Sequence, residues 1–231
     1  MGFTIKQINP VPKEIWEKPC LEVLEPFKNL GTEVHIATVK GGPKEIMSAY
    51  DEAKAIGYAL EEAERAEQEG FDAVAMSCAF DVGVDAMREA LDIPVVGACQ
   101  AALHLASLLG SKFSIITTSG HGSSIRTTED LVSKYGFKSK LASIRPINLT
   151  PLQFAVEKEE LKKQLVVEAK KAINEDGANV IVFGCSGMNV ALWLQEQVGV
   201  PVIDPLIAVI KILEVLGKMK LTHSKIAYSR P

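Results

Sequence analysis

The sequence lacks most of the features that give a function away at a glance. No run of more than two consecutive Lys or Arg occurs in its 231 residues, and 25 basic against 29 acidic side chains leave a formal charge of −4. With a pI near 5.7, the chain has no electrostatic footprint for a phosphate backbone, and no nucleic-acid partner is expected. Long apolar runs are missing too. The most apolar late stretch, Pro201 to Leu216, carries Asp204, Lys211 and Glu214 and is too short to span a bilayer. The opening residues hold no apolar segment of the kind a secretory signal needs, and Lys6 stands where a myristoylation motif needs Ser or Thr. A cytoplasmic protein without membrane contact is the expectation. Cysteines are few and far apart (Cys20, Cys78, Cys99, Cys185), with no Cys-x-x-Cys and no His at zinc-ligand spacing. No metal site is expected, and in a reducing compartment all four are free thiols.

What is present is an ordinary globular composition, 47% hydrophobic and 23% charged. Short apolar runs alternate with helical patterns, the mark of an α/β protein with mainly parallel sheet. The patterning predicts strands over 4–8, 33–39, 73–77, 95–97, 113–118, 142–147, 179–184 and 202–204. Helices are predicted over 49–69, 83–91, 100–109, 124–135, 159–176, 191–198 and 205–216.

The second half echoes the first. Gly70 to Cys78 aligns without a gap on Gly177 to Cys185, an offset of 107, and Asp92-Ile-Pro94 falls on Gly199-Val-Pro201. The segment opening at Phe3 resembles the one opening at Phe113, an offset of 110. Two pseudo-symmetric lobes follow, each with a four-stranded, mainly parallel sheet flanked by helices. Residues 1–97 with 206–231 form the first and 98–205 the second, with the active site expected in the cleft between them. Two unrelated βαβ units can also look alike by chance, but the ungapped register through cysteine and proline weighs against that.

Ligands of open α/β sheets sit beyond the carboxyl ends of the strands. Cys78 and Cys185 each stand just past such an end and just before a helix, whose N-terminus would favour the thiolate. Two thiols facing one hollow suit the inversion of a stereocentre through a carbanion, with a base on one face and an acid on the other. A free thiol titrates near pH 8.5, so one can be thiolate while its partner stays protonated. No cofactor is required.

These residues carry a family resemblance. Ile8-Asn9-Pro10, Gly42-Pro43, Tyr50-Asp51-Glu52-Ala53, Glu69-Gly70-Phe71-Asp72 ahead of Cys78, Pro94-Val95-Val96-Gly97, Phe113 to Thr118 and Gly184-Cys185-Ser186-Gly187-Met188 follow in order. The chain thereby resembles the aspartate/glutamate/hydantoin racemase superfamily, nearest its hydantoin and allantoin racemases. The resemblance implies a cofactor-independent racemase with Cys78 and Cys185 as the acid/base pair. It also implies that Asn9, Thr117, Thr118, Ser186, Gly187 and the residues after the first cysteine, Ala79 and Phe80, hold a small-molecule substrate such as a 5-substituted hydantoin or allantoin, and that the protein is a homo-oligomer. Three departures stand out: Val11-Pro12-Lys13 replaces the family's small polar residues, Ala79-Phe80-Asp81 shifts an aromatic by one position, and Gln100 stands where a Glu often opens a helix.

Blander readings exist for each residue. Cysteine at a strand end can be a simple buried hydrophobe, and Cys20 and Cys99, which lack the motif context, are read as core or surface filler. Asn9-Pro10 is a turn signal, Thr117-Thr118 can merely end a strand, and Asp204-Pro205 reads as a helix N-cap followed by proline. Asp81 is read as capping its own helix in the same manner, and His121 as a solvated loop residue near the site. Two other functions compete. A dicarboxylate-directed amino-acid racemase, maleate-type isomerase or decarboxylase would need a cationic pocket, and only Lys13 and Arg126 are candidates for it. A ligand-binding or redox-sensing module would need neither cysteine for catalysis.

Overall fold

A computed structural model describes residues 2–12, 16–118 and 123–231. Lys13 and His121 lie outside the described residues. The chain divides into two compact units, one of residues 1–46, 50–98 and 206–231, the other of 47–49 and 99–205.

In the first unit the strands are β1 (Phe3–Asn9), β2 (Thr32–Thr38), β3 (Ala73–Met76) and β4 (Val95–Gly97). They form one all-parallel sheet in the order β2-β1-β3-β4. Its helices are α1 (Glu17–Leu24), α2 (Ala49–Gln68) and α3 (Val84–Ala90). In α2, Ala55, Ala59, Ala63 and Ala66 are buried at helical spacing, and side chains this small bring the helix close to the sheet. The helix ends in a Schellman cap: Gly70 takes a left-handed φ of 83°, Phe71 N donates to Ala66 O at 3.0 Å and Gly70 N to Glu67 O at 3.0 Å.

The second unit contains α4 (Ala98–Leu109), β5 (Phe113–Thr117), α5 (Ser123–Lys134), β6 (Leu141–Pro146), α6 (Pro151–Phe154), α7 (Lys158–Asn174), β7 (Val180–Phe183), α8 (Ala191–Val198) and β8 (Val202–Ile203). Its sheet is again four-stranded and parallel, in the order β6-β5-β7-β8. Ile116, Phe154, Leu165, Phe183 and Leu194 pack into one core under it. The chain then returns to the first unit through α9 (Pro205–Met219), which opens on Pro205 as a helix start should.

All eight predicted strands are present. Among the described residues two α-helices are additions: α1, whose Pro19 disguises an eight-residue helix, and the single turn of α6. Among the described residues no helix is long and apolar enough to cross a membrane.

Candidate functional site

Strand order places the site. In each sheet the chain runs outward in both directions from the first strand, so the first and third strands flank the point where connections diverge, the place beyond whose carboxyl ends open α/β sheets generally hold their ligands. Cys78 follows β3 and Cys185 follows β7, each half-buried.

The two ends match bond for bond. In the first unit Ser77 N donates to Ile8 O at 3.1 Å, and Val39 N donates to Asn9 O at 3.2 Å. In the second, Gly184 N donates to Ile116 O at 2.7 Å, and Ile147 N to Thr117 O at 2.9 Å. Asn9 and Thr117 therefore hold equivalent places beside their cysteine loops. The offset here is 108, because Ile5 pairs with Ala73 as Phe113 pairs with Val180. This corrects the 110 offset read from the sequence. The two phenylalanines that suggested it sit at different heights, since β1 begins two residues earlier relative to its sheet.

Each cysteine opens a tight turn: Asp81 N donates to Cys78 O at 2.9 Å, and Met188 N to Cys185 O at 3.5 Å. The helices beyond begin only at Val84 and Ala191. These starts agree to within one residue with the helices predicted from 83 and 191, and the turn at each cysteine takes up the residues between sulfur and helix. A left-handed residue that is not glycine ends the first turn (Asp81) and directly follows the second (Asn189), each with φ 51°. Such backbone is uncommon outside glycine and best tolerated by Asn and Asp.

The turns differ in chemistry. After Cys78, Ala79, Phe80 and Asp81 are all buried, at 6%, 4% and 5% exposure. After Cys185 come the buried hydroxyl of Ser186 and the half-buried Gly187. Asp81 is not the N-cap residue of its helix. Gly83 is the N-cap residue of α3, without a side-chain cap, while the Asp81 carboxylate lies against Gly97, where an added Cβ would come within 2.3 Å of it. Thr117 is wholly buried and its Oγ1 has no hydrogen-bond partner among the described residues. Thr118 is fixed from behind, its carbonyl accepting from Ser124 Oγ at 2.9 Å as α5 begins.

Asn9, Ser77 and Cys78 thus gather in the first unit, and Thr117, Thr118, Cys185 and Ser186 in the second. Cys20 and Cys99 are buried at 7% and 6%, in keeping with core filler. Arg126, the one candidate cation among the described residues, is exposed on α5. Ser77, which donates its Oγ to Ile8 O at 2.8 Å, was missed. Nothing in its flanking sequence marks it, and only the strand pairing puts it beside Asn9. Among the described residues no group of three or more His, Cys, Asp or Glu side chains is placed to hold a metal ion.

Residues 19–213 match the family model described as Asp/Glu/hydantoin racemase. A hydantoin racemase of Pseudomonas sp. (strain NS671) is 35% identical over 224 residues, 96% of this chain and 89% of that protein. Among solved structures, an allantoin racemase from Klebsiella pneumoniae superimposes with a TM-score of 0.92 at 28% identity, covering 100% of this chain and 94% of that one. An allantoin racemase from Pseudomonas fluorescens gives 0.93 at 28% identity, with 99% and 97% covered.

Proposed function

Since this chain belongs to the Asp/Glu/hydantoin racemase family and is an isomerase of that kind, we propose that it inverts a carbon next to a carbonyl through a pair of cysteines, without a cofactor, on a 5-substituted hydantoin or allantoin. One thiolate, of Cys78 or Cys185, takes the proton from the stereocentre. The C–H electron pair passes into the adjacent carbonyl as an enolate. The other thiol then gives its proton to the opposite face and becomes the thiolate, so the pair ends in mirror-image protonation. Each group contributes roughly 10²–10⁴-fold as a general acid or base. The remainder falls to donors that meet the enolate oxygen, for which Asn9, Thr117, Thr118, Ser186 and the turn N–H groups are assigned, with Gly187 leaving room for the ring. Ala79 and Phe80 bound the side on which the 5-substituent lies.

The observation that supports this reading best is the equivalence of the two loops: a thiol at the same place in each sheet, beside a polar residue ending the neighbouring strand. A neutral ureide ring also suits walls with no Lys or Arg between Cys78 and Asp85 or between Cys185 and Gln195. The test is a panel of single enantiomers of hydantoins and allantoin against aspartate, glutamate and maleate, with wild type, Cys78→Ser and Cys185→Ser. Racemisation of the ureides alone, lost at least about 100-fold in either variant, is the expected result. Turnover of the dicarboxylates, or full activity in a serine variant, would reject it.

A further inference from the structure

Gln7 breaks the pattern of the strand it sits in. The side chain is 0% exposed, yet among the described residues neither its Oε1 nor its Nε2 has a hydrogen-bond partner. A buried donor and acceptor left unmet are costly, and native proteins satisfy nearly all of them. Its neighbours in register are apolar, Ile36 on β2 and Ala75 on β3, with Val96 beyond. The other sheet shows what packing alone asks for here. Its equivalent residue is Ile115, paired with Val182 as Gln7 is with Ala75, and 1% exposed. Isoleucine serves in one sheet, so the amide in the other is not there to fill space. Rules broken at such a cost mark functional positions.

Its place indicates which function. Gln7 and Asn9 lie on the same face of β1, two residues apart, and Asn9 ends the strand beside Cys78. A ligand at that carboxyl end stands about 7 Å further along the strand than the Gln7 Cα, within reach of an extended glutamine whose χ angles swing toward the strand end. We infer that Gln7 is a further substrate-binding residue on the Cys78 side, its carboxamide pairing with an N–H and the neighbouring C=O of the bound ring. A primary amide offers a donor and an acceptor side by side, and a cyclic ureide edge offers the complement. A carboxylate, acceptor only, would leave Oε1 unmet. The inference rests on the proposed ureide racemase and names the part of the substrate that the first unit reads.

The experiment compares wild type with Gln7→Met and Gln7→Ile, the latter taking the residue of the other sheet. It measures the thermal midpoint and the kcat and KM of racemisation for a 5-substituted hydantoin and its ring N-methyl derivatives. Both variants are expected to melt at or above the wild-type temperature, by up to ~2–4 °C. KM for the free ring should rise about tenfold, and the wild-type preference for free over N-methylated ring should shrink toward unity. Unchanged KM and preference would overturn the assignment, as would a lowered midpoint in both variants, which makes Gln7 structural. Wild type inert toward every hydantoin would instead strike down the functional reading beneath it.

Discussion

Thr117 lies so close to Gly184 that a methyl group on the glycine would stand 2.8 Å from the threonine Cβ and 2.9 Å from its Oγ1. The residue before Cys185 is thus glycine because the end of β5 leaves room for nothing larger. Gly184→Ala is expected to cost ~1–3 kcal/mol by overpacking and, by displacing the following thiol, to lower kcat as much as about 100-fold. Thr117→Val separates packing from chemistry. It keeps the shape and deletes a hydroxyl that has no partner among the described residues, so the denaturation midpoint should hold or rise while KM climbs. Chemical denaturation alongside racemisation kinetics checks both.

Asp81 and Gly97 form the corresponding lock in the first unit, with the carboxylate set directly on the glycine. Gly97→Ala should destabilise by ~1–3 kcal/mol. Asp81→Gly removes the obstacle and relieves the left-handed φ of 51°. The double variant should therefore lose less than the two single losses together, with a coupling of at least ~0.5 kcal/mol in a double-mutant cycle. Strict additivity would show that the two residues do not meet.

The C-terminal segment is pinned by a histidine whose charge state matters. His223 Nε2 lies 2.9 Å from Leu91 O, Lys225 Nζ also donates to that carbonyl, and the imidazole edge meets the Tyr228 ring at 5.8 Å. Burial holds the His223 pKa below 6.5, Lys225 and Arg88 push the same way, and the bond to Leu91 O opposes them. A depressed folded-state pKa means that protonation favours the unfolded segment. The contribution is therefore whole above about pH 6.5 and is lost as pH falls from there through the folded value. Limited proteolysis within 220–231 should speed up between pH 7.5 and 5 in wild type and respond less to pH in His223→Gln. Equal pH responses in the two would refute this.

Much of this was legible in the sequence because it rests on local patterns. Runs such as Ala73–Met76 and Val180–Phe183, bounded by glycine and cysteine, fix strands wherever they occur. The doubled Gly…Cys…Pro register exposed the repeat that relates Cys78 to Cys185. What escaped depends on pairing across strands. Phe3 and Phe113 look equivalent until β1 proves two residues longer than β5. Asp81 reads as a helix cap until Gly83 takes that place and the carboxylate turns to Gly97. In the sequence Gln7 is one polar residue on a strand, and only its complete burial without a partner among the described residues sets it apart.

The central claim is proton exchange at one carbon by Cys78 and Cys185, and solvent isotope tests it most directly. One enantiomer of a 5-substituted hydantoin is incubated with the protein in D₂O, and the stereocentre is followed by optical rotation and mass. Deuterium should enter as rotation decays, one atom for each molecule inverted, and neither should proceed in the Cys78→Ser/Cys185→Ser double variant. Decay of rotation with the original hydrogen retained, or deuterium uptake undiminished without the two thiols, would contradict it.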